Sequence, residues 1–82
     1  PYVAKALGMI VCRQGDYERA LGLLEQSAHQ LKSDPGLLFY LGRTQFHLKD
    51  GRASKANLQR ALSLDLSGKD AADARQMLAD LK

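Results

Sequence analysis

Cys12, His29 and His47 carry the side chains of this 82-residue chain best suited to ligation or nucleophilic attack. His29 and His47 fall in different segments, and neither has a carboxylate or thiol at a ligand spacing such as His-x-x-x-His. His29 reads as a solvated residue of a helix surface. Cys12 and His47 could pair as nucleophile and base, but no third orienting group or oxyanion donor accompanies them. A small, partly buried cysteine accounts for Cys12. With one cysteine there is no internal disulfide and no cysteine-based metal cage. The glycines mark breaks between segments, since no strand precedes them to build a phosphate cradle. Asp70 and Asp73 are explained by the first turn of a helix. The sequence therefore predicts no enzyme, no metal and no cofactor.

Composition points to one domain with a modest core: apolar residues make up 45% and charged residues 26%. Tryptophan is absent, so leucine and alanine must fill the interior. The net charge of +3 is spread without a lysine/arginine block, which argues against a nucleic-acid partner. No run of eighteen apolar residues predicts direct membrane insertion, and no signal-peptide pattern opens the chain. A start at Pro1 without methionine is expected of an excised or processed piece. The compartment stays open between cytoplasm and bacterial periplasm.

The elements that position these residues all follow a helical period. Val3, Leu7, Ile10 and Val11 predict a first helix over residues 2–14, and Ala20, Leu21, Leu24, Ala28 and Leu31 a second over 17–31. Gly15-Asp16 breaks the chain between them. Asp34 is a good N-cap and Pro35 a good first helical residue for a third helix over 36–48. Lys49-Asp50-Gly51 forms the next turn, before a fourth helix over 52–64. Ser67-Gly68-Lys69-Asp70 reads as a capping box opening a fifth helix, with Lys82 favourably placed at its end.

These segments repeat. At an offset of 34 residues, Leu7-Gly8 becomes Leu41-Gly42, Asp16 becomes Asp50, Leu24 becomes Leu58, and the small Ala20 and Ser27 become Ser54 and Ala61. Glycine inside a helix costs about 1 kcal/mol relative to alanine, so Gly8 marks a close approach of two helices.

A 34-residue helix-turn-helix unit with Leu7, Gly8, Gly15, Asp16, Tyr17, Ala20, Leu24 and Ser27, then Leu41, Gly42, Asp50, Ser54, Leu58, Ala61, Leu62, Leu64 and Asp65, resembles the tetratricopeptide repeat. The resemblance covers residues 1–66. Departures are Ala4 and Leu38 at the family's early large aromatic, Lys32 and Leu66 at its closing proline, and Val11 and Gln45 where tyrosine is frequent. It implies an all-α fold, a right-handed solenoid of antiparallel helix pairs with five helices: one unit over 1–34, a second over 35–66 and a C-terminal capping helix over 67–82. It also implies a non-catalytic protein-interaction or scaffold module that binds a partner peptide in its concave groove.

By that register the groove residues are Tyr2, Lys5, Met9 and Arg13 from the first helix, with Ala6 and Cys12 beside them, and Phe39, Tyr40, Arg43, Phe46 and His47 from the third. Aromatics and arginine favour binding hot spots. Three positive charges without an acid favour a protein or peptide partner bearing acidic or C-terminal carboxylate groups. The carboxylate clamp of chaperone-tail binders is missing, since Met9, Tyr40, Asp70 and Ala74 stand at its later positions. Residues 13–20 resemble, in general style, repeats of bacterial scaffolds, so the parent is expected to be a larger bacterial protein. The alternative is a spacer or self-association segment, a homodimer joined through the N-terminal helix pair around Tyr2, Val3, Ala6 and Ile10.

Overall fold

The computed structural model describes residues 1–81, so the expectation for Lys82 lies outside the described residues. Within them the protein is all helix, without a strand: α1 (Tyr2–Arg13), α2 (Tyr17–Ala28), α3 (Pro35–His47), α4 (Gly51–Ser63) and α5 (Gly68–Asp80). None of the helices is long and apolar enough to cross a membrane. α1 packs on α2 and α3 on α4; α2 and α1 meet α3 on one side, and α5 covers α4 and α3 on the other.

The links show why the helices stop where they do. Gly15 takes a left-handed conformation (φ 87°), which lets its N–H reach the Cys12 carbonyl (3.0 Å) and the Asp16 N–H reach that of Val11 (3.2 Å). Carbonyls orphaned at the helix end are thereby satisfied. Asp16 then opens α2, its carboxylate accepting from the Arg19 N–H at 3.4 Å. The same pattern returns 34 residues later. Lys49 is left-handed (φ 66°), and the Lys49 and Asp50 N–H groups bond Phe46 (3.2 Å) and Gln45 (2.9 Å). Asp50 caps α4 through the Ala53 N–H, again at 3.4 Å. Asp65 (φ 68°) closes α4 the same way, onto Leu62 and Ala61.

Three local expectations are corrected. The left-handed residue of the second turn is Lys49, while Gly51 is the first residue of α4. α2 ends at Ala28 and not at 31, because the Gln30 and Leu31 N–H groups both bond the Ser27 carbonyl and tighten the last turn. Ser67 stands at the N-cap of α5 but its side chain makes no cap hydrogen bond, so the capping box does not form. Ser67 itself is extended (φ −131°, ψ 175°), as an N-cap should be; the departure is at the following Gly68, the first residue of α5, which is left-handed (φ 67°) instead of helical.

The core is built around two equivalent contacts. A Cβ on Gly8 would lie 2.8 Å from Leu24 Cγ, and one on Gly42 would lie 2.8 Å from Leu58 Cγ. Both leucines are fully buried, so each glycine is the space into which the facing leucine fits. Phe39, Leu37, Leu38, Leu41, Ala61 and Ala74 complete the interior. Its polar members are all satisfied: the Ser54 hydroxyl donates to the Gly42 carbonyl (2.7 Å), and the Gln45 amide oxygen accepts from Asn57 (2.7 Å). Of the four apolar positions that set the period of α1, only Val11 is buried. Val3 is 82% exposed, Ile10 48% and Leu7 37%, because no helix packs on that face.

Candidate functional site

The groove residues expected from sequence separate into core, paired and open positions. Phe39 is fully buried and belongs to the core, which corrects its placement in a groove. Cys12 is buried too. Thr44 Oγ1 lies 2.8 Å from the Tyr40 carbonyl and 3.3 Å from Cys12 Sγ, so the hydroxyl donates to the carbonyl and is left to accept from the thiol. Met9 is half-buried against the core, and Tyr2 stands 67% exposed at the start of α1.

Two of the expected cations are already engaged. Lys5 donates to Asp34, the N-cap of α3, in the one ion pair found among the described residues. Burial would raise the Asp34 carboxyl, but the Lys5 hydrogen bond, the Leu37 N–H at 3.2 Å and the Lys5 charge outweigh it and hold it below its ordinary value. Arg13 donates from Nε (3.0 Å) and Nη2 (2.7 Å) to the Tyr40 hydroxyl, its guanidinium carbon 5.4 Å from that ring's centre. Tyr40 is itself 5% exposed, so this pair bridges α1 and α3 and offers little to a ligand.

The open positions converge elsewhere. Arg43, Phe46 and His47 form one wall of a cleft of about 300 Å³, and Asp73, Gln76, Met77 and Asp80 of α5 form the other. Successive turns of α3 put Arg43 and His47 on one face, and α5 presents Asp73, Met77 and Asp80 at matching helical spacing. Phe46 and Met77 are the half-buried apolar members of the lining. Arg43 pairs with neither Asp73 nor Asp80, and among the described residues Asp80 accepts only from Gln76 of its own helix (3.3 Å). His47 stacks on Tyr17 of α2 (ring centres 4.3 Å apart, planes 10° from parallel) and meets Phe46 edge-on at 5.6 Å. Burial, then the charges of Arg43 and Lys49, push the His47 imidazole below its ordinary value.

Sequence reasoning missed the α5 wall and counted no acid on this face. Asp73 is explained there by the helix's first turn, and Met77 is not singled out. The signal was available in the spacing of Asp73, Met77 and Asp80, which shares one face of α5, but only the packing of α5 on α3 makes it a wall. No cluster of three or more His, Cys, Asp or Glu side chains among the described residues could hold a metal ion.

No protein-family model matches the chain, and neither a curated protein nor a solved structure shows significant similarity to it.

Proposed function

We propose that this chain is a non-catalytic protein-interaction module of the tetratricopeptide type, with its helix pairs stacked antiparallel into a right-handed solenoid and α5 as the cap. Supporting the repeat reading are the equal Gly8–Leu24 and Gly42–Leu58 contacts and the shared hydrogen-bond pattern of the links at residues 15–16 and 49–50. The ligand is a peptide segment of a partner protein, held in the α3–α5 cleft. The observation that carries this is the unpaired Arg43 facing Asp73 and Asp80 across Phe46 and Met77.

That arrangement suits an apolar side chain inserted between Phe46 and Met77, with an acidic group on the Arg43 side and a basic group on the α5 side. The acidic or C-terminal carboxylate groups expected of the ligand from sequence would meet two carboxylates on the α5 side. The test is an NMR titration of the ¹⁵N-labelled chain with a peptide library that varies the charges flanking one aliphatic or aromatic residue. Shifts are expected at Arg43, Phe46, His47, Asp73 and Met77, and Arg43→Glu should weaken the best peptide by at least about tenfold, the equivalent of roughly 1.4 kcal/mol. A library that moves none of these resonances would leave the chain a spacer.

A further inference from the structure

The large apolar side chains that stand exposed among the described residues, Tyr2, Val3, Leu7 and Ile10, all belong to α1. Val3, Leu7 and Ile10 fall on one helix face, with the small, exposed Ala6 beside them. The 34-residue register shows what such a face accommodates. Its counterparts on α3 are Leu37, Tyr40, Leu41 and Thr44, each no more than 5% exposed where α1 and α2 pack on that helix. The chain thus seats helices on this face of α3 and leaves the corresponding face of α1 bare.

Charge narrows the choice of occupant. The charged side chains of α1 are Lys5 and Arg13, and both are turned to partners within the chain, Asp34 and the Tyr40 hydroxyl. The stripe therefore offers no free charge for a charged partner to recognise, and none to repel an identical stripe. Its order is nearly symmetric about Leu7, with Val3 one turn before and Ile10 one turn after. Laid antiparallel, two copies bring Leu7 onto Leu7 and Val3 onto Ile10, while Ala6 lets the helices approach. This is the self-complementarity a two-fold interface needs.

We propose that α1 is a self-association surface, and that the protein forms a two-fold homodimer through an antiparallel α1–α1 contact centred on Leu7. With the flanking Pro1 and Gln14, the exposed side chains amount to roughly 500 Å² per copy, or about 1,000 Å² in total, the lower end for a specific interface. The dimer is accordingly of the weak, transient class.

Sedimentation equilibrium over a concentration series reaching about 1 mM reads this directly. The average mass should climb from 9.0 kDa towards twice that value. Leu7→Lys and Val3→Lys should each weaken association at least about tenfold. Val3, at 82% exposure, contributes almost nothing to the monomer's packing, so its variant stays folded, as circular dichroism would verify. Leu7→Cys should form an oxidised dimer across the axis, which reducing agent dissolves. Arg43→Glu, which probes the cleft, should leave the mass curve unchanged, so the two readings fail separately. A wild-type mass that stays at 9.0 kDa throughout overturns the proposal, and so does a dimer indifferent to both lysine variants.

Discussion

Lys49 shows how one residue can be at odds with its own backbone. It occupies the left-handed position that Gly15 occupies in the first link, with the same hydrogen bonds on either side. An L-residue with a Cβ is disfavoured there by about 1–2 kcal/mol, and glycine is not. Glycine loses part of that advantage through the greater freedom of its unfolded chain. Lys49→Gly should therefore stabilise the protein by about 0.5–1 kcal/mol, seen as a melting temperature about 3–6 °C higher in a calorimetric scan. The same argument does not extend to Gly51, two residues on, which is an ordinary first residue of α4. The sequence marks Lys49-Asp50-Gly51 as a turn without marking its left-handed member, since lysine carries no left-handed signal and only the register with Gly15 reveals the position.

At the scale of elements, the helix pairs were legible because their signals are local and doubled. Gly8 and Gly42, Asp16 and Asp50, and Leu24 and Leu58 each state the same contact twice, and the structure builds it twice. What could not be read was the outcome of packing between pairs. Lys5 and Phe39 are register equivalents, yet one reaches Asp34 across a helix link and the other is fully buried in the core. Periodicity alone does not tell a covered apolar stripe from a bare one: Val3, Leu7 and Ile10 keep the same helical period as Leu37, Leu41 and Thr44, and only the absence of a packed neighbour among the described residues leaves the first set open. The two glycine contacts are also equally tight. A Cβ on Gly42 would meet Leu58 Cγ and, at 3.3 Å, the Leu58 backbone nitrogen; one on Gly8 would meet Leu24 Cγ and, at 3.3 Å, Leu23 Cβ, which the backbone holds as firmly. Gly42→Ala and Gly8→Ala should each cost about 1–3 kcal/mol despite alanine's better helix propensity. Urea denaturation of both variants checks this, and a variant as stable as wild type would remove the close contact at its site.

Across the whole molecule, the two groups with displaced titrations both tie the first helix pair to α3: Asp34 through Lys5 of α1, and His47 through Tyr17 of α2. His47 resists protonation in the folded state, so stability is fully present above its ordinary value of 6.5 and declines as pH falls below it, where the unfolded chain takes up the proton first. Asp34 is held ionised, so its contribution is present above 3.8 and is lost as pH drops through its lower folded value. Melting temperature should thus fall in two stages on acidification, and His47→Gln should remove the upper one. Because His47 stands largely in solvent, that stage is under about 1 kcal/mol. The α1–α3 contact also encloses the chain's single thiol, Cys12, at 1% exposure. A thiol reagent in solution cannot touch it until the first helix lifts, so the pace of alkylation becomes a clock for that opening, carried by the wild-type protein without any introduced label.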